Sequence, residues 1–394
     1  MSFPKPHIKL DSFFHETSLS PPPSTSSPWP TTIYFITGNP GLISYYHTFL
    51  SLLGAKLSTT SGSDPIHIVG HSLAGFELDS AKDGTRSGKE EYYYDVEEQI
   101  RSVQGKLEAH MRSLRDSTAT ATGGSLDAQE TENQKEKPRV ILIGHSVGSY
   151  IAMEILRRHR EGQVQAQAHA SGQGLSTDTD FDITGSILLF PTVMDIAKSL
   201  SGRKLTFLLS LIPNLALVIS LLARVLTTLL PNSILRAIIG LVMNSPPAEA
   251  LNATFAFLKS KRGVRQALYM ATDEMRTITT DKWSDDVWGV SSSNPISSEL
   301  ETELDTKSQV LPPAQLYFYF GRNDHWVAER TREEIVAARG ISNLGQGQGN
   351  ENGSEKGMGP RMVVCEESVP HAFCLRHNEV MAGKVVGMIG EILK

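Results

Sequence analysis

Residues 139–156 read RVILIGHSVGSYIAMEIL. Val140 to Ile143 form a short continuous apolar run, the pattern of a strand covered on both faces. Ser149 onward is amphipathic and rich in helix formers. Between them lies Gly144-His145-Ser146-Val147-Gly148. A serine held on a sharp strand-to-helix turn needs small residues two before and two after it, so that the backbone can fold tightly with the hydroxyl exposed. A bare Gly-x-Ser-x-Gly occurs by chance; a strand before it and a helix behind it give this one weight. Ser146 is therefore the candidate nucleophile, and a strand feeding a helix makes the chain α/β.

A second stretch, residues 66–76, reads IHIVGHSLAGF and repeats the Gly-His-Ser. Ala74 takes the place of the second glycine, which alone decides nothing. The residues behind it, FELDSAKDGTRSGKEE, are polar and non-periodic, so no helix starts behind Ser72. Without a helix N-terminus there is no partial positive charge to help hold an oxyanion. Ser72 is expected on a loop at the end of a neighbouring strand, lining or bordering the site.

Outward from these motifs, strands and helices alternate. HIKL near the start, TTIYFIT, PIHIVG, GSILLFP, AQLYFYFG and MVVCEE read as strands. Helices are expected after Gly38-Asn39-Pro40-Gly41, after Asp95 and at the C-terminus. Asp95 and Glu98 have capping-box spacing, and Val96, Ile100, Val103, Leu107, Met111 and Leu114 recur at helical period. The alternation predicts a mainly parallel central sheet with helices on both faces. A first part of the core spans about 1–190 with a disordered insertion at 116–137, a helical cap spans 191–310, and the core resumes over 311–394 with a mobile loop at 341–360. SPPPSTSSPWP and QVQAQAHASGQGLSTDTD read as a surface loop and a soft linker.

A reactive serine needs a base and an acid, which in this class of fold follow in the order serine, acid, histidine. Asp324 sits just beyond a strand in YFYFGRNDHWV, and His371 follows the last strand in EESVPHAFCL and opens the last helix. Taken singly, Asp324 also reads as a turn residue and His371 as a residue at the start of a helix. Together, at the ends of successive strands in the required order, they form the expected triad with Ser146. Asp195 is the rival acid, since it follows the preceding strand. His325 and His377 are weaker bases, one adjoining the acid and the other lying inside the helix. The oxyanion hole is expected from the backbone N–H of Val147 and that of Asn39, because Pro40 has none to give.

From Leu205 to Met243 only Arg224 and Arg236 are charged. The stretch is nominally long enough to span a bilayer, but Pro213-Asn214 and Pro231-Asn232 interrupt it and basic residues flank both sides. A hairpin or helix pair entering one leaflet suits this better than a span, with a cap packed over the active site as the alternative. The rest is ordinary: 40% apolar and 20% charged residues and a net charge of −6, with no basic stripe for nucleic acid. Cys365 and Cys374 suit neither a metal site nor a disulfide framework. The N-terminus lacks the apolar core of a signal peptide, so the chain is expected to face the cytosol. No cofactor and no metal are expected.

FITGNPGLISYYHTFL, GHSVGSYIAMEIL, LLFPTVMDIAKSLSGRKL, YFGRNDHWV and HAFCLRHNEVM, in this order, resemble the successive blocks of the lipid droplet-associated hydrolase family. The resemblance runs over most of the chain. It implies an α/β-hydrolase fold on lipid droplets and the endoplasmic reticulum, on the cytosolic face, reached through the apolar insertion. It implies a serine lipid hydrolase with Ser146, Asp324 and His371 as triad, and neutral lipids (sterol esters or acylglycerols) as substrates. In that family the block at Ser72 resembles a His-containing loop. The competing reading is a droplet-binding organising protein with weak or vestigial activity.

Overall fold

The computed structural model describes residues 5–17, 29–60, 65–78, 92–121, 137–170, 181–290, 312–340 and 359–394. Among them, β1 (His7–Lys9), β2 (Ser12–Glu16), β3 (Thr31–Ile36), β4 (Ile66–His71), β5 (Arg139–His145), β6 (Asp182–Leu189), β7 (Gln315–Phe320) and β8 (Arg361–Val364) form one sheet. The strand order is β1-β2-β4-β3-β5-β6-β7-β8. β2 runs antiparallel to β1 and β4, and β3 to β8 are parallel. This is the α/β-hydrolase fold.

Successive strand side chains point to opposite faces, so a run that is apolar throughout supplies two cores. Val140 and Leu142 of β5 pack with Val103 and Leu107 of α2 (Val96–Ala121) and Ile151 of α3 (Val147–Ala170). Ile141 and Ile143 face Leu50 and Leu53 of α1 (His47–Thr60) and Val385 and Ile389 of α10 (Asn378–Ile392). These side chains are almost fully buried, and each such burial contributes about 1.5–3 kcal/mol. The capping box closes as its spacing predicts: Glu98 N–H donates to Asp95 Oδ1 at 2.8 Å, and Asp95 N–H donates to Glu98 Oε2 at 3.0 Å.

Two helices are longer than the sequence reading allows. α3 continues through QVQAQAHA to Ala170, the first eight residues of the expected linker, because Ala and Gln are good helix formers. α2 runs to Ala121, covering the first residues of the insertion expected at 116–137. The remainder of that insertion, nearly all of the 341–360 loop and most of the Pro/Ser tract lie outside the described residues.

Between β6 and β7 the chain forms α4 (Leu200–Leu211), α5 (Leu215–Leu229), α6 (Asn232–Val242), α7 (Ala248–Lys259) and α8 (Gly263–Thr277). α9 (Glu329–Arg339) follows β7. α4 and α5 meet at 94°, with Asn214 left-handed at the break (φ 54°). Asn tolerates that conformation, and Pro213 cannot continue the helix before it. No single helix among the described residues is long and apolar enough to cross a membrane. Leu215, Leu235 and Ile239 are buried, while Phe207, Leu211, Leu222, Leu229, Leu241 and Val242 are more than 60% exposed.

Candidate active site

Ser146 stands at the turn between β5 and α3 with a positive φ of 54°. A branched environment could not hold this turn. A Cβ on Gly144 would lie 2.4 Å from the Gly148 carbonyl oxygen, and one on Gly148 would lie 2.4 Å from that of Ile36. Both glycines are thus required by close backbone approach. α3 begins at Val147, so its N-terminal partial charge lies beside the serine hydroxyl.

The loops after β7 and β8 bring the other two expected residues to this hydroxyl. His371 Nε2 lies 2.9 Å from Ser146 Oγ, and His371 Nδ1 lies 2.9 and 2.8 Å from Asp324 Oδ1 and Oδ2. The Asp324 carboxylate also accepts the Trp326 N–H at 2.8 Å, which fixes its orientation. The histidine and aspartate side chains are only 8% and 1% exposed, so the pair is shielded from water. One detail differs from the sequence reading: His371 does not open the last helix. A short 3-10 turn at Phe373–Leu375 intervenes and α10 starts at Asn378, which leaves His371 free to be aimed by its own loop.

The alternatives fall elsewhere. Asp195 pairs with Lys198 at 2.8 Å and is not hydrogen-bonded to His371. His325 lies on the cavity wall with its ring centre 6.1 Å from that of His371. His377 sits at the N-terminus of α10. Ser72 follows β4 as expected, yet it does not line the cavity. It is buried, its hydroxyl donates to Asp11 Oδ1 at 3.1 Å and accepts the Ile43 N–H at 3.2 Å. That hydroxyl serves as a staple between β4, the β1–β2 turn and the segment ahead of α1.

A polar chain behind Ser146, His371 and Asp324 carries no signal in the sequence. The Gly38 N–H donates to the Tyr46 hydroxyl at 3.2 Å, and the hydroxyl lies 2.7 Å from His145 Nδ1. His145 Nε2 lies 2.9 Å from the His371 carbonyl oxygen. Burial, helped by His371, pushes the His145 pKa down to about 3, so the ring is neutral. A carbonyl only accepts, so Nε2 carries the proton and Nδ1 accepts from Tyr46. The residue between glycine and serine in the motif thereby holds the backbone of the histidine that faces the serine.

Above Ser146 lies a cavity of about 610 Å³. Asn39, Ser146 and His371 form its floor, and Leu205 of α4, Ile219 of α5, Met243 at the end of α6 and Phe257 of α7 form much of its apolar roof. Asn39 lies in the loop after β3; a Cβ on the preceding Gly38 would lie 3.1 Å from Ser146 Cβ. Asn39 Nδ2 donates to Glu274 Oε1 at 2.8 Å and to the Ala267 carbonyl at 2.9 Å, both on α8. Glu274 was not singled out from the sequence. Its signal was there: Gln266, Met270, Glu274 and Ile278 recur every four residues and all are buried, so an acid stands on an inward stripe.

The profile of the family described as "Lipid-droplet associated hydrolase" matches residues 30–374. The chain is 22% identical over 360 residues to the lipid droplet-associated hydrolase of Gallus gallus, covering 91% of this chain and 84% of the relative. It is 23% identical over 382 residues to that of Homo sapiens, covering 97% and 88%. Among solved structures, the juvenile hormone epoxide hydrolase of the silkworm Bombyx mori is similar with a TM-score of 0.43 and 10% identity, over 97% of this chain and 74% of that one. A likeness so loose carries no argument, and the fold rests on the sheet order given above.

Proposed function

The chain belongs to the lipid-droplet associated hydrolase family, and from that premise we propose that it is a serine ester hydrolase acting on neutral lipids at a lipid surface. The observation that carries this reading is the relay of Ser146, His371 and Asp324 at hydrogen-bond distance on the carboxyl ends of the parallel strands. His371 Nε2 takes the Ser146 proton as Oγ attacks the ester carbonyl, and Asp324 holds the Nδ1–H and stabilises the imidazolium. The oxyanion is met by the N–H of Val147 and that of Asn39. Gly38 spends its N–H on Tyr46 and Pro40 has none, which favours Asn39 as the second donor. His371 then gives its proton to the leaving alcohol, and water cleaves the acyl-serine by the same steps reversed.

The substrate class is read from the cavity and the cap. Its roof is apolar and its volume suits an acyl chain. The outward apolar side chains of α4, α5 and α6 form a face that soluble proteins keep small; we assign it to a lipid surface, entering one leaflet or a droplet monolayer from the cytosolic side. Sterol esters and acylglycerols fit both features, and no cofactor or metal enters the chemistry.

Fluorophosphonate labelling of the purified full chain tests the assignment. Wild type and Ser72→Ala are expected to label, and Ser146→Ala to lose the label entirely. Label retained in Ser146→Ala sinks the reading. The exposed apolar face also favours a second reading, a droplet-organising protein with weak activity. Droplet phenotypes that survive Ser146→Ala yet vanish on deleting 205–243 decide for that one.

A further inference from the structure

Glu274 is a buried carboxyl that the relay does not use. It reaches the floor of the active site from the cap: α8 carries both partners of the Asn39 side-chain amide, Glu274 Oε1 at 2.8 Å and the Ala267 carbonyl at 2.9 Å. α8 is itself anchored. Gln266 Nε2 donates to the Tyr94 carbonyl at 2.7 Å and its Oε1 accepts the Tyr94 N–H at 2.9 Å, while Asp273 Oδ2 accepts the Val96 N–H at 2.9 Å. The amide of Asn39 is thus clamped by a helix tied to the start of α2. The backbone of Asn39 follows Gly38, where an added Cβ would meet Ser146 Cβ at 3.1 Å, so this loop lies close against the serine.

We propose that Glu274 is a positioning residue, which through the Asn39 side chain fixes the loop that presents the Asn39 N–H to the oxyanion. This rests on the serine hydrolase reading. Donors aimed in advance at the developing charge cost no reorganisation during the reaction, so a loop clamped before substrate binds is worth rate and not affinity. The charge state of the clamp matters. Burial, with Asp273 adding to it and the Asn39 bond opposing it, pushes the Glu274 pKa up to about 8. Below that pH the carboxyl is neutral and still accepts from Asn39. Above it, an anion stands near the forming oxyanion and opposes it.

Other titratable groups face the same cavity. Tyr45, Tyr46, His145, His371 and Cys374 come from the core and His325 from the loop after β7, while Asp273, beside Glu274 on α8, lies outside the lining. His145 is held neutral, burial raises both tyrosines, and the Cys374 thiol is pushed up to about 12. Glu274, pushed up to about 8 by its burial, changes charge in that range.

Hydrolysis of p-nitrophenyl butyrate by the full chain tests the proposal, with fluorophosphonate labelling beside it. Glu274→Leu is expected to lower kcat by about tenfold to a hundredfold, less than the loss of a donor outright, with KM nearly unchanged. Glu274→Gln, which still accepts from Asn39, restores most of that kcat. Wild-type kcat falls as pH rises through about 8, and Glu274→Gln lacks this fall. In an Asn39→Ala background, Glu274→Leu adds less than a twofold further loss. Any one of three results overturns the proposal: wild-type kcat in Glu274→Leu, an unchanged alkaline fall in Glu274→Gln, or independent multiplying losses in the double variant. If Glu274→Leu does not fold, the pH profile of Glu274→Gln decides alone. A wild type that neither labels nor turns over overturns the hydrolase reading and this proposal together; a labelled, active wild type isolates the proposal.

Discussion

Gly70-His71-Ser72 and Gly144-His145-Ser146 share three residues and a parallel strand before them, yet the fold spends their serines differently. Ser146 is turned outward at a positive φ, with two glycines packed against backbone, a helix behind it and a histidine 2.9 Å away. Ser72 has Leu73 to Phe76 behind it in irregular structure, and both directions of its hydroxyl are taken by Asp11 and Ile43. The histidines differ likewise. His145 bonds the backbone of His371, whereas His71 meets the Tyr34 hydroxyl at 3.3 Å and feels the charges of Lys106 and His110 on α2. A serine becomes a nucleophile through its neighbours in space, and the motif supplies only the turn.

The largest test of this contrast lies in the acid. Asp324→Asn is expected to cut ester turnover by about 10⁴-fold, since the amide stabilises the wrong tautomer of His371. Asp195→Asn, which frees only Lys198, should leave turnover within a factor of about two of wild type, because surface ion pairs are worth little. Equal losses in the two variants would reassign the acid. Steady-state kinetics on a soluble ester reads both.

Exchanging the small residues of the two motifs probes the turn itself. Gly148→Ala forces a methyl against the Ile36 carbonyl and should cost about 3 kcal/mol, seen as a lower urea midpoint, along with lost labelling. Ala74→Gly completes the upstream Gly-x-Ser-x-Gly. It should cost about 1 kcal/mol or less and still give no labelled Ser72 in a Ser146→Ala background. A labelled Ser72 there would mean that the motif suffices.

The mildest expectation separates the histidines. A buried His whose folded pKa lies below its unfolded value of 6.5 contributes stability that is complete above pH 6.5 and is lost as pH falls toward the folded value. For His145 that window runs from 6.5 down to about 3, with a slope of about 1.4 kcal/mol per pH unit for one proton. His145→Gln, which can still donate to the His371 carbonyl, should flatten that slope in urea melts. His71 is held near 4, so His71→Gln flattens a shorter stretch. The reverse ranking would contradict the burial order of the two rings.

What the sequence carried was local or ordinal. The apolar run before Ser146, the helix period behind it and the order of Asp324 and His371 along the chain each follow from spacing over a few residues or from strand succession. The polar chain from Tyr46 through His145 to the His371 carbonyl joins residues 99 and 226 positions apart, and Asn39 to Glu274 spans 235. No period or spacing encodes those distances. Ser72 is expected at the rim of the site because it ends a strand taken to neighbour the one before Ser146. β4 instead lies beyond β3, and the Ser72 side chain turns to Asp11, a residue of a short β1–β2 connection that carries no motif. The end of α3 shows the opposite case, where polar composition suggests a linker although Gln and Ala favour helix.

The roof of the cavity and the greasy outer face belong to the same helices. Leu205 and Phe207 sit on one turn of α4, the former over the cavity and the latter exposed, and a helix is only about 10–12 Å across. On the proposed reading, a single helix layer therefore separates the lipid from the cavity. Supply is then counted per unit area of lipid: at fixed ester content, spreading the same molecules over more surface slows the enzyme, while diluting the surrounding water does not.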